Sequence, residues 1–511
     1  MNYKLSNPIL FYCLICISSI FFLFNPANFP ADDGFFYPQI AYNIVNGKGS
    51  FFNDLYLTNG YHPLWMVFCC IAELLNPFGK QEVVYILWLF QTVFVIFSLS
   101  FLNIFFKNNK EGEIIGFFFI ITLYFSLGTL YLTEAHLNLF CFSILIYFLA
   151  SKINNDWLFG LLFSLVFLSR LDNIFPLFFL SLYYFYYRKY NYFTLFRSGI
   201  VIFFICGSYL FSNYLFFGAL VPISGRIKSS FPYFQTYIFL TLISQFFLVC
   251  NIIALLILFF FKTIQYRNLK IFIAVGSVVQ LLYNVVFQSQ IGQWYYVIQI
   301  IVIVILIGDI MFLVLKKHSK KKWLNYILIV SGIIISCSIG YMKKSSNFSL
   351  QFTLLDKNSH ISERKENEVK VFSQKIKKTL PANSRIFIYD FPGKFAFYSD
   401  MQVIPADGLV GNQNFFSEIT NSKFTDYMKR NNIQYLILPS YFHSNNEDYN
   451  FIGIKVNRNK YYIKNTLTKK IAGEINLNDF RLIKNFSNPI KIWQKDYDSV
   501  SVYKLKTNYD R

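Results

Sequence analysis

The sequence predicts a polytopic α-helical membrane protein of about eleven transmembrane helices and one interfacial helix, followed by a C-terminal soluble α/β or α+β domain. Three observations predict it. Apolar residues make up 55% of the chain and charged residues only 14%, and the mean hydropathy is +0.41, outside the range of an ordinary soluble domain. Apolar runs of about 17 to 25 residues recur, the length that crosses a hydrocarbon core of about 30 Å. The Lys and Arg residues gather in short clusters between those runs, as expected where cytoplasmic loops are enriched in basic residues.

The first apolar segment, Ile9 to Phe24, is followed by Asn25, Pro26 and more aromatics, with no small-residue cleavage site. It reads as a retained first helix and not as a removed signal peptide. The candidate spans are 8–25, 83–106, 114–132, 136–150, 157–169, 174–187, 198–217, 234–261, 271–288, 294–314 and 323–341. A twelfth apolar segment, Pro63 to Phe78, contains Glu73 and is ambiguous. If it crossed the membrane, Lys107/Lys110, Arg188/Lys189/Arg197, Lys262/Arg267/Lys270 and the KKHSKKK run (Lys316 to Lys322) would all lie outside. If it lies in the interface, these clusters are cytoplasmic together with Lys4, which the positive-inside bias favours.

That topology divides the chain into a transmembrane module, 1–342, whose first extracytoplasmic loop is 25–82, and an extracytoplasmic domain, 343–511. Short β-rich runs, Arg385 to Tyr389, Gln402 to Pro405 and Gln434 to Leu438, alternate with turn residues and a helix-like stretch, Phe416 to Arg430, in the latter. The net charge of +20 does not indicate nucleic acid, because the basic residues are distributed as loop clusters. The eight Cys residues all lie in apolar segments, without metal-site or disulfide spacing, and read as small core residues. No Gly-rich phosphate loop or dinucleotide fingerprint is present, which argues against a nucleotide-sugar donor.

The same topology collects polar residues on the outer face. Asp32 and Asp33 follow the first span directly. Adjacent carboxylates at a membrane surface suit a general base for a sugar hydroxyl or a ligand for a divalent cation. The pair also precedes an amphipathic stretch, Gly34 to Val45, so that Asp33 is a natural N-cap and Asp32 the better catalytic candidate. Asn59, Tyr61 and His62 stand in TNGYHPLW, at the start of the interfacial helix. A His among aromatics serves as a substrate contact or as a packed residue.

Arg226 and Lys228, in PISGRIKS, are cations on the side where basic residues are depleted, and a lipid phosphate is their natural partner. Headgroup snorkelling is the plain alternative. Arg170 is a third candidate for the donor phosphate, although Arg170 and Asp172 can pair with each other. Glu134 sits at the outer end of a span, where an acid needs a reason. Trp294 and Tyr295 belong to an aromatic belt or stack on a sugar face.

Taken together, these segments resemble the C-type glycosyltransferase superfamily of integral membrane enzymes, which includes protein O-mannosyltransferases, the lipid A aminoarabinose transferase and mycobacterial arabinofuranosyltransferases. The resemblance is carried by the acidic pair after the first span, AYNIVNGKG (Ala41 to Gly49), TNGYHPLW (Thr58 to Trp65), LTEAHLNLF (Leu132 to Phe140), SRLDN (Ser169 to Asn173), VPISGRIKS (Val221 to Ser229), WYY (Trp294 to Tyr296) and DGLVGN (Asp407 to Asn412). It covers nearly the whole chain. It implies transfer of a sugar from a polyprenyl-phosphate carrier to a glycan, lipid or protein acceptor outside the cytoplasmic membrane. The superfamily's first-loop acid corresponds to Asp32 or Asp33. The Asp-Asp pair in place of Asp-Glu, and the single Pro after His62, set the chain apart from the O-mannosyltransferases. Two other readings remain open: a non-catalytic membrane protein, either a transporter of lipid-linked saccharides or a degenerate family member used for assembly, and a ligase or polymerase of lipid-linked oligosaccharides. A transporter calls for polar residues in mid-span, whereas here they gather at the outer ends.

Overall fold

In the computed structural model the described residues are 8–20, 23, 26–27, 30–106, 109–126, 130–187, 192–234, 242–288, 291–317, 327, 330–331, 369–388, 391–421, 424–439, 453–457, 460–464, 471–492 and 495–506. They form a mainly helical body with smaller β-sheets towards the C-terminus. Among the described residues five helices are long and apolar enough to cross a membrane: Lys80–Phe106, Tyr192–Phe217, Leu242–Phe260, Arg267–Phe287 and Val297–Val314. Inside these helices, hydroxyls bond back to the helix's own carbonyls, as Ser98 does to Phe94 at 2.6 Å and Thr92 to Trp88 at 2.9 Å. Such bonds satisfy polar groups where lipid offers no partner.

Other expected spans form shorter helices. Ala135–Ala150 has 16 residues, and Asp156–Ser169 and Ile174–Tyr187 have 14 each. A helix of 14 residues rises about 21 Å, less than the hydrocarbon thickness. Nearly every residue of Ala135–Ala150 is nevertheless buried, because this helix packs between Val83–Leu102 and Asp156–Ser169. The first span is described as a 12-residue helix, Pro8–Ser19. The expected span 323–341 falls almost wholly outside the described residues, as do Lys4, Lys107, Arg188, Lys189 and residues 318–322 of the basic run.

The ambiguous segment forms the helix Pro63–Leu74, whose 12 residues are too few to cross a bilayer. Pro63 stands at its first turn, where no backbone N–H is needed. Trp65 is buried and donates its indole N–H to the Leu132 carbonyl at 2.8 Å. Val67, Ile71, Leu74 and Leu75 remain exposed.

Towards the C-terminus, β1 (Arg385–Ile388), β2 (Gln402–Pro405), β3 (Tyr435–Pro439), β7 (Phe480–Ile492) and β8 (Lys495–Leu505) form one sheet in the order β2-β1-β3-β8-β7. The first three strands are parallel and β8 runs antiparallel to β3 and β7. The intervening β4 (Gly453–Asn457), β5 (Lys460–Lys464) and β6 (Ile471–Asn476) form a separate antiparallel sheet. The helix expected over 416–430 is two helices, Gln413–Asn421 and Phe424–Arg430.

This C-terminal part is joined closely to the loop after the first helix. Asp54 forms a forked ion pair with Arg385, with contacts of 2.8 to 3.1 Å. Asn53 donates to the Val403 carbonyl at 3.0 Å, and the Tyr56 ring stacks on Phe415 at 5.0 Å. Two glycines permit the approach. A Cβ at Gly60 would stand 2.1 Å from the Leu409 carbonyl oxygen, and one at Gly393 would stand 2.3 Å from that of Asp32. Only Gly fits at either point, since the atom that would have to yield is backbone.

Candidate active site

A cavity of about 620 Å³ opens where the first loop, the starts of several helices and the C-terminal part meet. Of the sequence candidates, Asp33, Tyr61, His62, Glu134, Arg170, Asp172, Arg226, Lys228, Trp294 and Tyr295 line it, while Asp32 and Asn59 do not. Residues from positions 33 to 295 therefore converge on one chamber.

The acidic pair divides its roles in the opposite sense to the sequence expectation. Asp32 and Asp33 open a 3₁₀ turn, Asp32–Phe35, in which successive side chains point about 120° apart. Asp32 turns to the C-terminal part. Its carboxylate accepts the backbone N–H of Gly393 at 2.9 Å and of Lys394 at 2.8 Å. These are first-turn donors of the helix Pro392–Ser399, so Asp32 caps a helix more than 350 residues away. Burial pushes its carboxyl up to about 7, although both N–H bonds pull the other way. Asp33 makes no cap bond with its own helix. It faces the cavity, 35% exposed, with Oδ2 at 3.5 Å from the Lys228 ammonium.

A buried charge network forms one wall. Glu134 pairs with Arg170, and Arg170 Nε and Nη2 also bond Asp172 at 3.0 and 3.2 Å. The Tyr295 ring lies 3.9 Å from the guanidinium carbon. Gln280 at 3.3 Å and Asn284 at 3.4 Å donate to Asp172, and the Tyr37 hydroxyl donates to Glu134 at 3.0 Å. Burial pulls the guanidinium's pKa down, but Asp172, Glu134 and Tyr295 outweigh it and hold it above its ordinary value. Arg170 is 2% exposed and committed to two carboxylates. It serves the wall more than it offers a free fork to a phosphate, in contrast to its expected role.

Lys228 and Arg226 come from a short helix, Ile223–Lys228. Asn59 positions it: its side-chain oxygen accepts the N–H of Ile223 at 3.0 Å and its amide donates to Asn213 at 3.3 Å. Asn59 is thus a support for the cations and not a wall of the cavity. Burial draws the Lys228 pKa down, yet Tyr295, Asp33 and Asp407 together raise it above the usual value, so the side chain stays charged. Arg226 is exposed at the cavity edge.

His62 Nε2 lies 3.6 Å from Glu134, whose charge is already answered by Arg170. Burial lowers the imidazole pKa to about 3, helped by Arg170 and Lys228 and opposed by Asp172. The folded protein holds His62 neutral down to about pH 3, while an unfolded His titrates near about 6.5. The stability this contributes is complete above about pH 6.5 and is lost as pH falls towards the folded value. The melting temperature of the wild type is expected to drop between pH 7 and pH 4 more steeply than that of His62→Gln, as read by thermal melting in detergent.

Sequence reasoning did not single out Tyr37 or Gln288. Tyr37 bridges Glu134 and the backbone N–H of His62 (3.4 Å). Gln288 lines the cavity and its side-chain oxygen is buried without a hydrogen-bond partner among the described residues, as is Nδ1 of His62. Unsatisfied polar atoms on a cavity wall fit a hydroxyl-rich ligand. Among the described residues no group of three or more His, Cys, Asp or Glu could hold a metal ion. Asp33 is the most exposed carboxylate on the wall, against 2% for Glu134 and 9% for Asp172, so a divalent cation there would draw most of its ligands from substrate. The chamber combines one open carboxylate, two cations and aromatic faces. No protein-family model and no curated protein matches the chain.

Proposed function

We propose that the chain is a membrane glycosyltransferase of the C type, transferring a sugar from a polyprenyl-phosphate carrier to a cell-envelope acceptor. The observation that carries this reading is the pairing of Asp33 with Lys228 at 3.5 Å on a cavity that Arg226 also lines. The ammonium and guanidinium receive the donor phosphate and neutralise it as it leaves. Phosphate binding takes Lys228 from Asp33 and frees the carboxylate. Asp33 then accepts the proton of the acceptor hydroxyl as its oxygen bonds the anomeric carbon. The carbon–oxygen bond to phosphate breaks, and its electron pair stays with the polyprenyl phosphate. His62, Gln288, Trp294 and Tyr295 hold the sugar by hydrogen bonds and stacking.

This reading carries the topology with it: eleven spans, an interfacial helix over Pro63–Leu74, and the cavity and the region 343–511 outside the cytoplasmic membrane. The short helix at Pro63 and the polar lining at helix ends support it.

Membranes containing the protein are expected to transfer label from a radiolabelled polyprenyl-phosphate monosaccharide and not from a diphosphate-linked oligosaccharide. Label moving only from the diphosphate donor would make the protein a ligase or polymerase. Movement of the intact lipid-linked saccharide across the bilayer without transfer would make it a transporter.

A further inference from the structure

A second cleft, of about 720 Å³, lies at the other end of the helices that build the candidate active site. The helices Ala135–Ala150 and Ile174–Tyr187 begin beside Glu134 and Asp172 on the first cavity and end at Lys152 and Tyr187 on the second. Arg267–Phe287 runs the opposite way, from Arg267 in the cleft to Gln288 in the cavity. Ala135–Ala150 and Arg267–Phe287, of 16 and 21 residues, separate their ends by about 24 to 32 Å, close to the thickness of a hydrocarbon core. The two chambers therefore lie at opposite ends of a helix, Arg267–Phe287, that is long and apolar enough to cross a membrane.

Their chemistry differs. Among the described residues three carboxylates line the candidate active site, whereas no Asp or Glu lines the cleft. Its charged residues are Lys152 and Arg267, and neither pairs with a carboxylate among the described residues. Arg267 is held in place by bonds to the Leu258 and Phe259 carbonyls, at 2.6 and 3.3 Å, that end the preceding helix. Lys152 sits over the Tyr187 ring at 5.4 Å. Tyr147, Tyr183 and Tyr266 complete walls that are apolar in body and polar at the tip. An uncompensated pair of cations set among aromatic rings at a helix-end depth matches an amphiphile with a phosphate head.

We propose that this cleft binds the phosphate headgroup of an anionic phospholipid in the leaflet opposite the candidate active site. The proposal is independent of the glycosyltransferase reading. The test uses the full chain in detergent micelles and a photo-crosslinking phosphatidylglycerol, with a matching phosphatidylcholine probe as reference and inorganic phosphate as competitor. Lys152→Asn suits the fold, because Lys152 has φ of +57° and Asn tolerates that left-handed backbone. Arg267→Lys keeps the charge and loses the fork. Crosslinks are expected on the helix ends carrying Lys152 and Arg267, with phosphatidylglycerol well above phosphatidylcholine. Apparent affinity there should fall about tenfold in Lys152→Asn, the effect of one lost charge-assisted bond. It should be unchanged in Lys228→Gln, and melting temperatures verify that each variant is folded. Equal labelling by both probes, equal labelling of wild type and Lys152→Asn, or competition by phosphate at matching concentration would overturn the proposal.

Discussion

Asp33→Asn is expected to lower the rate of sugar transfer by about a hundredfold to ten-thousandfold, the usual worth of a positioned general base. The substitution is nearly isosteric, and Asp33 is only partly buried at 35% exposure, so insertion and accumulation should match the wild type. Its effect should fall on kcat. Binding of the donor depends on Lys228 and Arg226, and losing the Asp33 charge leaves Lys228 with less competition for phosphate, so KM should hold or decrease. Asp32→Asn provides the contrast. It weakens two bonds to the start of Pro392–Ser399 and should loosen the C-terminal part, seen as faster limited proteolysis, with kcat per folded molecule retained. The reverse pattern, with Asp32→Asn inactive and Asp33→Asn active, would remove Asp33 from the mechanism.

Arg170→Met is expected to give the largest loss of stability. The guanidinium stands between Glu134 and Asp172 and is almost fully buried. Its removal leaves two carboxylates without a counter-charge, and breaking a buried pair in this manner costs about 3 to 5 kcal/mol. The protein should accumulate poorly and melt early. Arg170→Met combined with Glu134→Gln should recover part of the loss, because the second change removes one of the stranded charges. If the double variant is no better than the single, Glu134 and Arg170 are not energetically coupled, whatever their contact. Measured on purified protein by tryptophan-fluorescence melting, this cycle separates the network's structural role from any part it plays in donor binding.

How much of this was legible in the sequence depends on the range of the interaction concerned. The long apolar helices were legible because hydrophobic length and polar scarcity are local properties. So were most cavity residues, since an acid or cation at the end of an apolar run stands out against its neighbours. The lengths of the shorter helices were less legible: Asp156–Ser169 and Ile174–Tyr187 are apolar over most of their length, and composition alone does not set how far such a helix reaches. Tyr37 and Gln288 were hidden, because one Tyr among 37 and one Gln at a helix end carry no distinguishing local signal.

The sequence by itself determined that this chain is rich in membrane-length helices, and which loops carry its charged and aromatic residues. Only the tertiary structure decided what those residues do to one another. Asp32 and Asp33 are chemically identical neighbours, and their sequence context pointed to Asp33 as the cap and Asp32 as the open acid. The assignment is the other way round because the partner that needs capping, the helix at Pro392, lies more than 350 residues along the chain. No local pattern encodes that approach. It depends on Gly393 and Gly60 letting two distant backbones touch, and on a 3₁₀ turn that sends adjacent side chains in different directions.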